Sequence, residues 1–194
     1  HKFRGPKGIG ILLANEKLIA NKNTFNSINN ILSTMNGTIP ISLTAGMSKA
    51  VEKLNIINFE TNLYNQFKAS NLSDNTILIR NSLLQIPGLE MIGHPINRLP
   101  HHISFVLKDR DGNPIPGRYV VRKLSNKGIS VSTGTACQSG LAQDSEVLKA
   151  IGLGGEFLQS GIRISLGDWI TNNDIEMIIP ILKSTIIDII NTYD

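Results

Sequence analysis

The chain has 194 residues, enough for one domain or for a domain with a remnant of another. At 41% hydrophobic it can bury a real core, which argues against global disorder. Its formal charge of +4 is spread out, and with 5% aromatic residues there is neither a dense basic patch nor the interleaved rings of a nucleic-acid groove. No segment reaches the roughly 18 apolar residues of a membrane helix, and residues 1–15 mix Lys, Arg and Gly in a way that does not read as a signal peptide. The single cysteine, Cys137, excludes an internal disulfide and an all-cysteine metal site, and fits a reducing, cytoplasmic compartment. The chain opens on His1 without a Met, which reads as a truncated or processed product.

In chain order, Gly5-Pro6-Lys7-Gly8 is turn-rich, and the apolar run from Gly8 to Ala14 predicts a buried strand. Residues 21–40 are rich in Asn, Ser and Thr and read as loop, with a short helix around Phe25 to Leu32. Helical spacing of Leu43, Met47, Ala50, Val51 and Leu54 predicts a helix from Thr44. A break at Ser70 to Asn75 precedes a second helix, from about Thr76 to Leu84, closed by Pro87-Gly88. Strands are predicted at Leu89–Ile92, Ile103–Leu107, Ile129–Ser132 and Gly161–Leu166. Between them lie a turn at Asp111-Gly112, a helix from Arg118 to Lys127 closed by Gly128, and a helix from Ser145, its N-cap, to Ile151. Thr171 with Asp174 three residues on is a capping-box start for the last helix. The alternation from residue 89 onward implies an α/β or α+β domain with helices packed on a small sheet, preceded by a separate piece.

Three groups of residues invite chemistry. Lys2 is an amine, able to form a Schiff base with an aldehyde cofactor, but on composition it is only an exposed lysine. Cys137 lies among small and hydroxylic neighbours, Ser132 to Ala136 and Ser139-Gly140, on a segment able to move; alone, it reads as a buried small hydrophobe. Arg163 stands between Ile162 and Ile164 on a strand, either as a two-point clamp for a carboxylate or as a structural ion-pair partner. His101-His102 invite a metal reading, but no third ligand sits at a recognisable spacing, so no metal is assigned. Arg118 reads as a solvated helix residue.

Taken together, His1-Lys2-Phe3 running into Gly5-Pro6-Lys7-Gly8-Ile9-Gly10, Ser132-Thr133-Gly134-Thr135-Ala136-Cys137 before Gln138-Ser139-Gly140, and Ser160-x-x-Arg163-x-Ser165-x-Gly167 resemble the NifS/IscS-like cysteine desulfurases. These belong to the class V aminotransferase group of pyridoxal 5'-phosphate (PLP) enzymes. The resemblance implies PLP fold type I, an α/β fold. Residues 1–60 would be the end of the large PLP-binding domain, and residues 61–194 the small C-terminal domain with the cysteine loop. It implies Lys2 as the cofactor lysine, His1 beside the cofactor, Cys137 as the sulfur acceptor and Arg163 as the carboxylate clamp. Thr38 would be a phosphate contact to the partner subunit's cofactor. Here the family's Gly-rich Arg-Ser-Gly-Thr stretch is replaced by Met35-Asn36-Gly37-Thr38, which lacks the Arg. The implied activity converts L-cysteine to L-alanine with a persulfide for iron–sulfur cluster assembly or other sulfur transfer. The implied partners are a sulfur-acceptor or scaffold protein and a second copy in a homodimer; no nucleic acid or membrane is implied. Without upstream sequence the chain is expected to be inactive alone. The alternatives are another class V enzyme (a cysteine or selenocysteine lyase, or an aminotransferase) and a non-catalytic domain for dimerisation or acceptor docking.

Overall fold

The computed structural model describes residues 3–11, 15, 26, 30, 38–53, 71–134, 144–167 and 169–193. The chain forms two compact units, His1–Thr61 and Asn62–Asp194.

In the first unit, helix α1 spans Ile41–Lys53 and buries Met47 and Ala50. It starts three residues before the expected Thr44, because the Pro40 carbonyl accepts from both the Thr44 amide (3.0 Å) and the Thr44 hydroxyl (3.1 Å). The Gly5-Pro6 segment packs against this helix. A Cβ on Gly46 would lie 3.2 Å from the Pro6 ring, and one on Gly5 would lie 3.3 Å from the Met47 sulfur. The expected strand at Gly8–Ala14 is corrected where it is described. Gly8 to Ile11 is irregular and Ile11 is exposed, since an apolar run becomes a strand only beside a hydrogen-bonding neighbour. Leu12 to Ala14 lie outside the described residues. Of the expected helix around Phe25 to Leu32, Asn26 and Asn30 are helical and the rest falls outside them.

The second unit is an antiparallel sheet covered mainly on one face. Its elements are α2 (Asn71–Leu83), β1 (Leu89–Met91), β2 (His102–Leu107), α3 (Gly117–Ser125), β3 (Ser132–Thr133), α4 (Glu146–Ala150), a 3₁₀ turn (Gly155–Gln159), β4 (Ile162–Ser165) and α5 (Asn172–Thr192). The sheet order is β1-β2-β4-β3, every neighbouring pair antiparallel. Alternation divides each strand between two faces. Ile103, Phe105, Leu107, Ile162 and Ile164 face one core with Ile79 and Leu83 of α2, Val120 and Leu124 of α3, and Ile175, Leu182, Ile186 and Ile189 of α5. Each such fully buried side chain stabilises by about 1.5–3 kcal/mol relative to exposure. On the other face only Val106 joins a small cluster, with Ile92, Leu148 and Leu158.

Helix α2 begins at Asn71, not near Thr76. Its buried side includes Ser73, Asn75 and Thr76, so hydrophobic periodicity could not find the first turn. The Thr76 hydroxyl is satisfied within the helix, donating to the Leu72 carbonyl at 2.7 Å. The strand expected at Ile129–Ser132 is the two-residue β3, because pairing with β4 involves only Ser132 and Thr133. The 3₁₀ turn at Gly155–Gln159 was not expected from the sequence. The capping box of α5 is complete: the Thr171 hydroxyl accepts from the Asp174 amide, and the Asp174 carboxylate accepts from the Thr171 amide at 2.8 Å.

Candidate functional site around Arg163

Arg163 occupies β4, an interior strand of the sheet. Ile162 and Ile164 turn into the core, so Arg163 must project to the opposite face, where it is half-buried. Its Cα partners are Ser104 on β2 and Ser132 on β3. With His102 and Ser165, also a cross-strand pair, these residues make that part of the face polar. Among the described residues no ion pair joins Arg163 to a carboxylate. A guanidinium so placed, half-buried and with no acidic partner among the described residues, is available for an anionic ligand.

The neighbouring β3 strand leads into the cysteine segment. Ser132 pairs with Arg163 and Thr133 with Ile162, and the Gly134 amide donates to the Gly161 carbonyl at 3.0 Å. The chain returns beside the same point. A Cβ on Gly134 would lie 3.6 Å from the Ser145 hydroxyl, and the Ser145 amide donates to the Leu158 carbonyl at 2.9 Å. Ser145 also caps α4, accepting from the Leu148 amide at 3.3 Å. The Gln159 side chain donates to the Asp144 carboxylate at 3.1 Å, tying the returning end to the 3₁₀ turn. Both ends of the segment 135–143 are therefore anchored next to β4. Cys137 itself lies outside the described residues.

His102 sits at the edge of this face. Burial first, then the positive charges of Arg163, Arg98 and His101, hold its imidazole below the ordinary histidine value. Neutral His102 is the form this surrounding favours.

The remaining expected site residues belong to the first unit. Thr38 is exposed in the irregular segment before α1. His1 and Lys2 lie outside the described residues. Two residues beyond Lys2, Arg4 adopts φ 68°, a left-handed conformation uncommon for a residue with a side chain. Sequence reasoning gives Arg4 no role, and no composition signal marks such a backbone position. Arg118 is exposed, as its reading as a solvated helix residue requires.

The match to the family described as aminotransferase class-V runs over residues 1–178. The chain belongs to the class V aminotransferase family. The cysteine desulfurase IscS of Methanosarcina thermophila is 28% identical to this class V chain over 186 residues, covering 96% of this chain and 43% of the relative. That of Dictyoglomus turgidum is 30% identical over 188 residues, covering 96% and 44%. The chain thus spans less than half the length of these relatives. A NifS-like protein from Rickettsia africae superposes with a TM-score of 0.57 at 23% identity, over 77% of this chain and 36% of that one. A second NifS-like protein gives 0.52 at 22% identity, over 77% and 34%. These likenesses show a shared mixed α/β fold.

Class V enzymes depend on PLP. By its chemistry such a group suits an amine, an imidazole and a hydroxyl; of Lys2, His1 and Thr38 the structure describes only Thr38, which is exposed.

Proposed function

We propose that this chain carries the cofactor lysine, the cysteine loop and the carboxylate arginine of a PLP-dependent cysteine desulfurase, as part of a longer enzyme. The observation that supports this most is the pairing of Ser132 with Arg163. It ties the base of the cysteine segment to the strand bearing an arginine that lacks an acidic partner among the described residues. Cys137 is three residues beyond Gly134, which bounds the distance of its Cα from that anchor at about 11 Å.

In this reading the Arg163 guanidinium holds the α-carboxylate of L-cysteine by two parallel hydrogen bonds. Lys2 carries PLP and moves a proton at the substrate α-carbon; His1 lies beside the cofactor as a phosphate contact, and Thr38 reaches the phosphate of the partner subunit's cofactor. PLP, when bound, withdraws electrons so that the Cβ–S bond can break. The Cys137 thiolate receives the sulfur. Overall the C–S bond breaks, its electron pair stays with carbon, which takes a proton to become L-alanine, and an S–S bond forms on Cys137. The sulfur is oxidised and the carbon is reduced, so no outside oxidant is needed. The persulfide then passes to an acceptor or iron–sulfur scaffold protein, and the enzyme acts as a homodimer in a reducing, cytoplasmic compartment.

The test is product analysis on the full-length protein with L-cysteine and a thiol reductant. Alanine and sulfide should form in equal amounts, and Cys137→Ser should retain PLP yet lose both products. Full turnover by Cys137→Ser would instead assign a lyase or an aminotransferase. PLP absorbance without any turnover of L-cysteine would also reject the desulfurase reading.

A further inference from the structure

The formal charge that reads as spread out along the sequence is gathered on one element. Residues 112–143 contain Arg118, Arg122, Lys123 and Lys127 and no acidic residue, which accounts for the whole +4; elsewhere basic and acidic residues balance. All four stand on α3 or in the turn that closes it, and all four are exposed, while Gly117, Val120 and Leu124 of the same helix are buried. Among the described residues no ion pair joins any of them to a carboxylate. Arg122 and Lys123 lie over the Tyr119 ring, 5.7 and 5.2 Å from its centroid, and that ring packs edge-on against Tyr193 just beyond α5.

This arrangement does not serve the helix. Arg118 stands in the first turn, where the helix dipole favours acids, and no acid is there. Arg118 and Arg122 are four residues apart, a like-charge spacing that costs helix stability. The three cations of α3 span about 7.5 Å of its axis, within the Debye length of about 8 Å at physiological salt, so their fields add. The charged face also begins at the root of the cysteine segment. The Gly134 amide donates to the Gly161 carbonyl at 3.0 Å, and a Cβ on Gly117 would come within 2.7 Å of the same oxygen. Arg118 is the next residue along.

We infer that the exposed face of α3 is a docking surface for an acidic protein, the one whose thiol takes sulfur from Cys137; this partner class rests on the desulfurase reading. Complementary charge speeds encounter and fixes orientation more than it adds affinity, which suits a partner that must arrive, take sulfur and leave. Nucleic acid is the poorer match, because Tyr119 is the only aromatic residue in 112–143 and its ring is already packed. In the transfer the partner's thiolate attacks the outer sulfur of the persulfide. One S–S bond forms as the other breaks and Cys137 leaves as thiolate, so no oxidant or reductant enters.

The test uses the full-length protein and two labelled peptides of equal length with one Cys each, one Glu-rich and one built of Gly and Ser. Fluorescence anisotropy should show the Glu-rich peptide binding at least tenfold more tightly at low salt, with the difference shrinking as salt rises. Combining Arg118→Gln, Arg122→Gln, Lys123→Gln and Lys127→Gln should abolish that preference, while Lys49→Gln with Lys53→Gln should not. After L-cysteine, sulfur should pass to the Glu-rich peptide at least tenfold faster from wild type than from the fourfold variant, although both release sulfide equally with a small-molecule reductant. Thermal melting checks that each variant folds. The docking surface is overturned if the two peptides bind alike or if the folded fourfold variant binds the Glu-rich peptide as wild type does. It is equally overturned, in favour of nucleic acid, if a single-stranded oligonucleotide of equal charge binds more tightly and is lost in the same variant. Equal sulfur transfer by wild type and variant, in a protein that releases sulfide, overturns it as an acceptor site. Charge-dependent binding through α3 in a protein that releases no sulfide from L-cysteine would leave the surface standing and reject the desulfurase reading instead.

Discussion

Replacing Arg163 with lysine separates binding from stability. Lysine keeps the positive charge but loses the planar fork, so a two-point contact becomes a single, more strongly hydrated one. Loss of a charge-assisted hydrogen bond of that kind costs about 1.5–3 kcal/mol. At about 1.36 kcal/mol per factor of ten, that is a rise in apparent KM for L-cysteine of roughly 10- to 150-fold, with PLP still bound. The structure also sets the stability term. Arg163 forms no ion pair with a carboxylate among the described residues, and its strand is held by Ile162 and Ile164 in the core. The substitution therefore breaks no salt bridge there and should cost well under about 1 kcal/mol, or a shift in Tm of no more than about 4 °C. The assay is KM from sulfide release by the full-length protein, paired with a thermal melt of the same preparation. A variant that melts much lower yet keeps wild-type KM would refute the clamp and restore a purely structural arginine.

Other outcomes follow from single features. Thr171→Ala removes the cap of α5 and should destabilise the chain by about 1 kcal/mol in urea unfolding. The hydrogen bonds from the Thr171 side chain and backbone hold the Asp174 carboxyl below the ordinary aspartate value. That stabilisation is present above the unfolded value, about 3.9, and is lost as pH falls through the folded one, so the gap between wild type and Asp174→Asn should close in acid. Gly117→Ala would place a Cβ 2.7 Å from the Gly161 carbonyl oxygen, where α3 meets the residue before β4. A loss of about 1–3 kcal/mol is expected, and an unchanged melt would show that this contact relaxes freely. Lys2→Ala in the full-length protein should abolish the visible absorbance of lysine-bound PLP, and an unaltered spectrum would remove Lys2 from that role.

The parts of the fold with strong local signals were legible in the sequence. Thr171 and Asp174 marked the start of α5, Ser145 the start of α4, and Asp111-Gly112 the turn after β2, where Gly112 has φ 88°. Other features depend on neighbours distant in the chain. The first turn of α2 is hidden because it buries polar residues, and the length of β3 is set by its pairing with β4. Pattern alone could not settle Gly8 to Ile11, because an apolar run does not say whether a strand stands beside it. At the site, alternation around Arg163 foretold its projection away from the core, but not that Ser132 would pair with it. A pocket that Arg80 and Arg98 both line left no sequence trace, since the residues are 18 positions apart and meet only through folding.

The central claim is that Cys137 takes sulfur from L-cysteine, and the most direct measurement is the mass of its peptide. The full-length protein is incubated with L-cysteine without reductant, alkylated and digested. One added sulfur on the peptide containing Cys137 is expected, removable by reductant and absent when Lys2 is replaced by Ala. An unmodified Cys137 peptide from a preparation that is forming alanine would contradict the account.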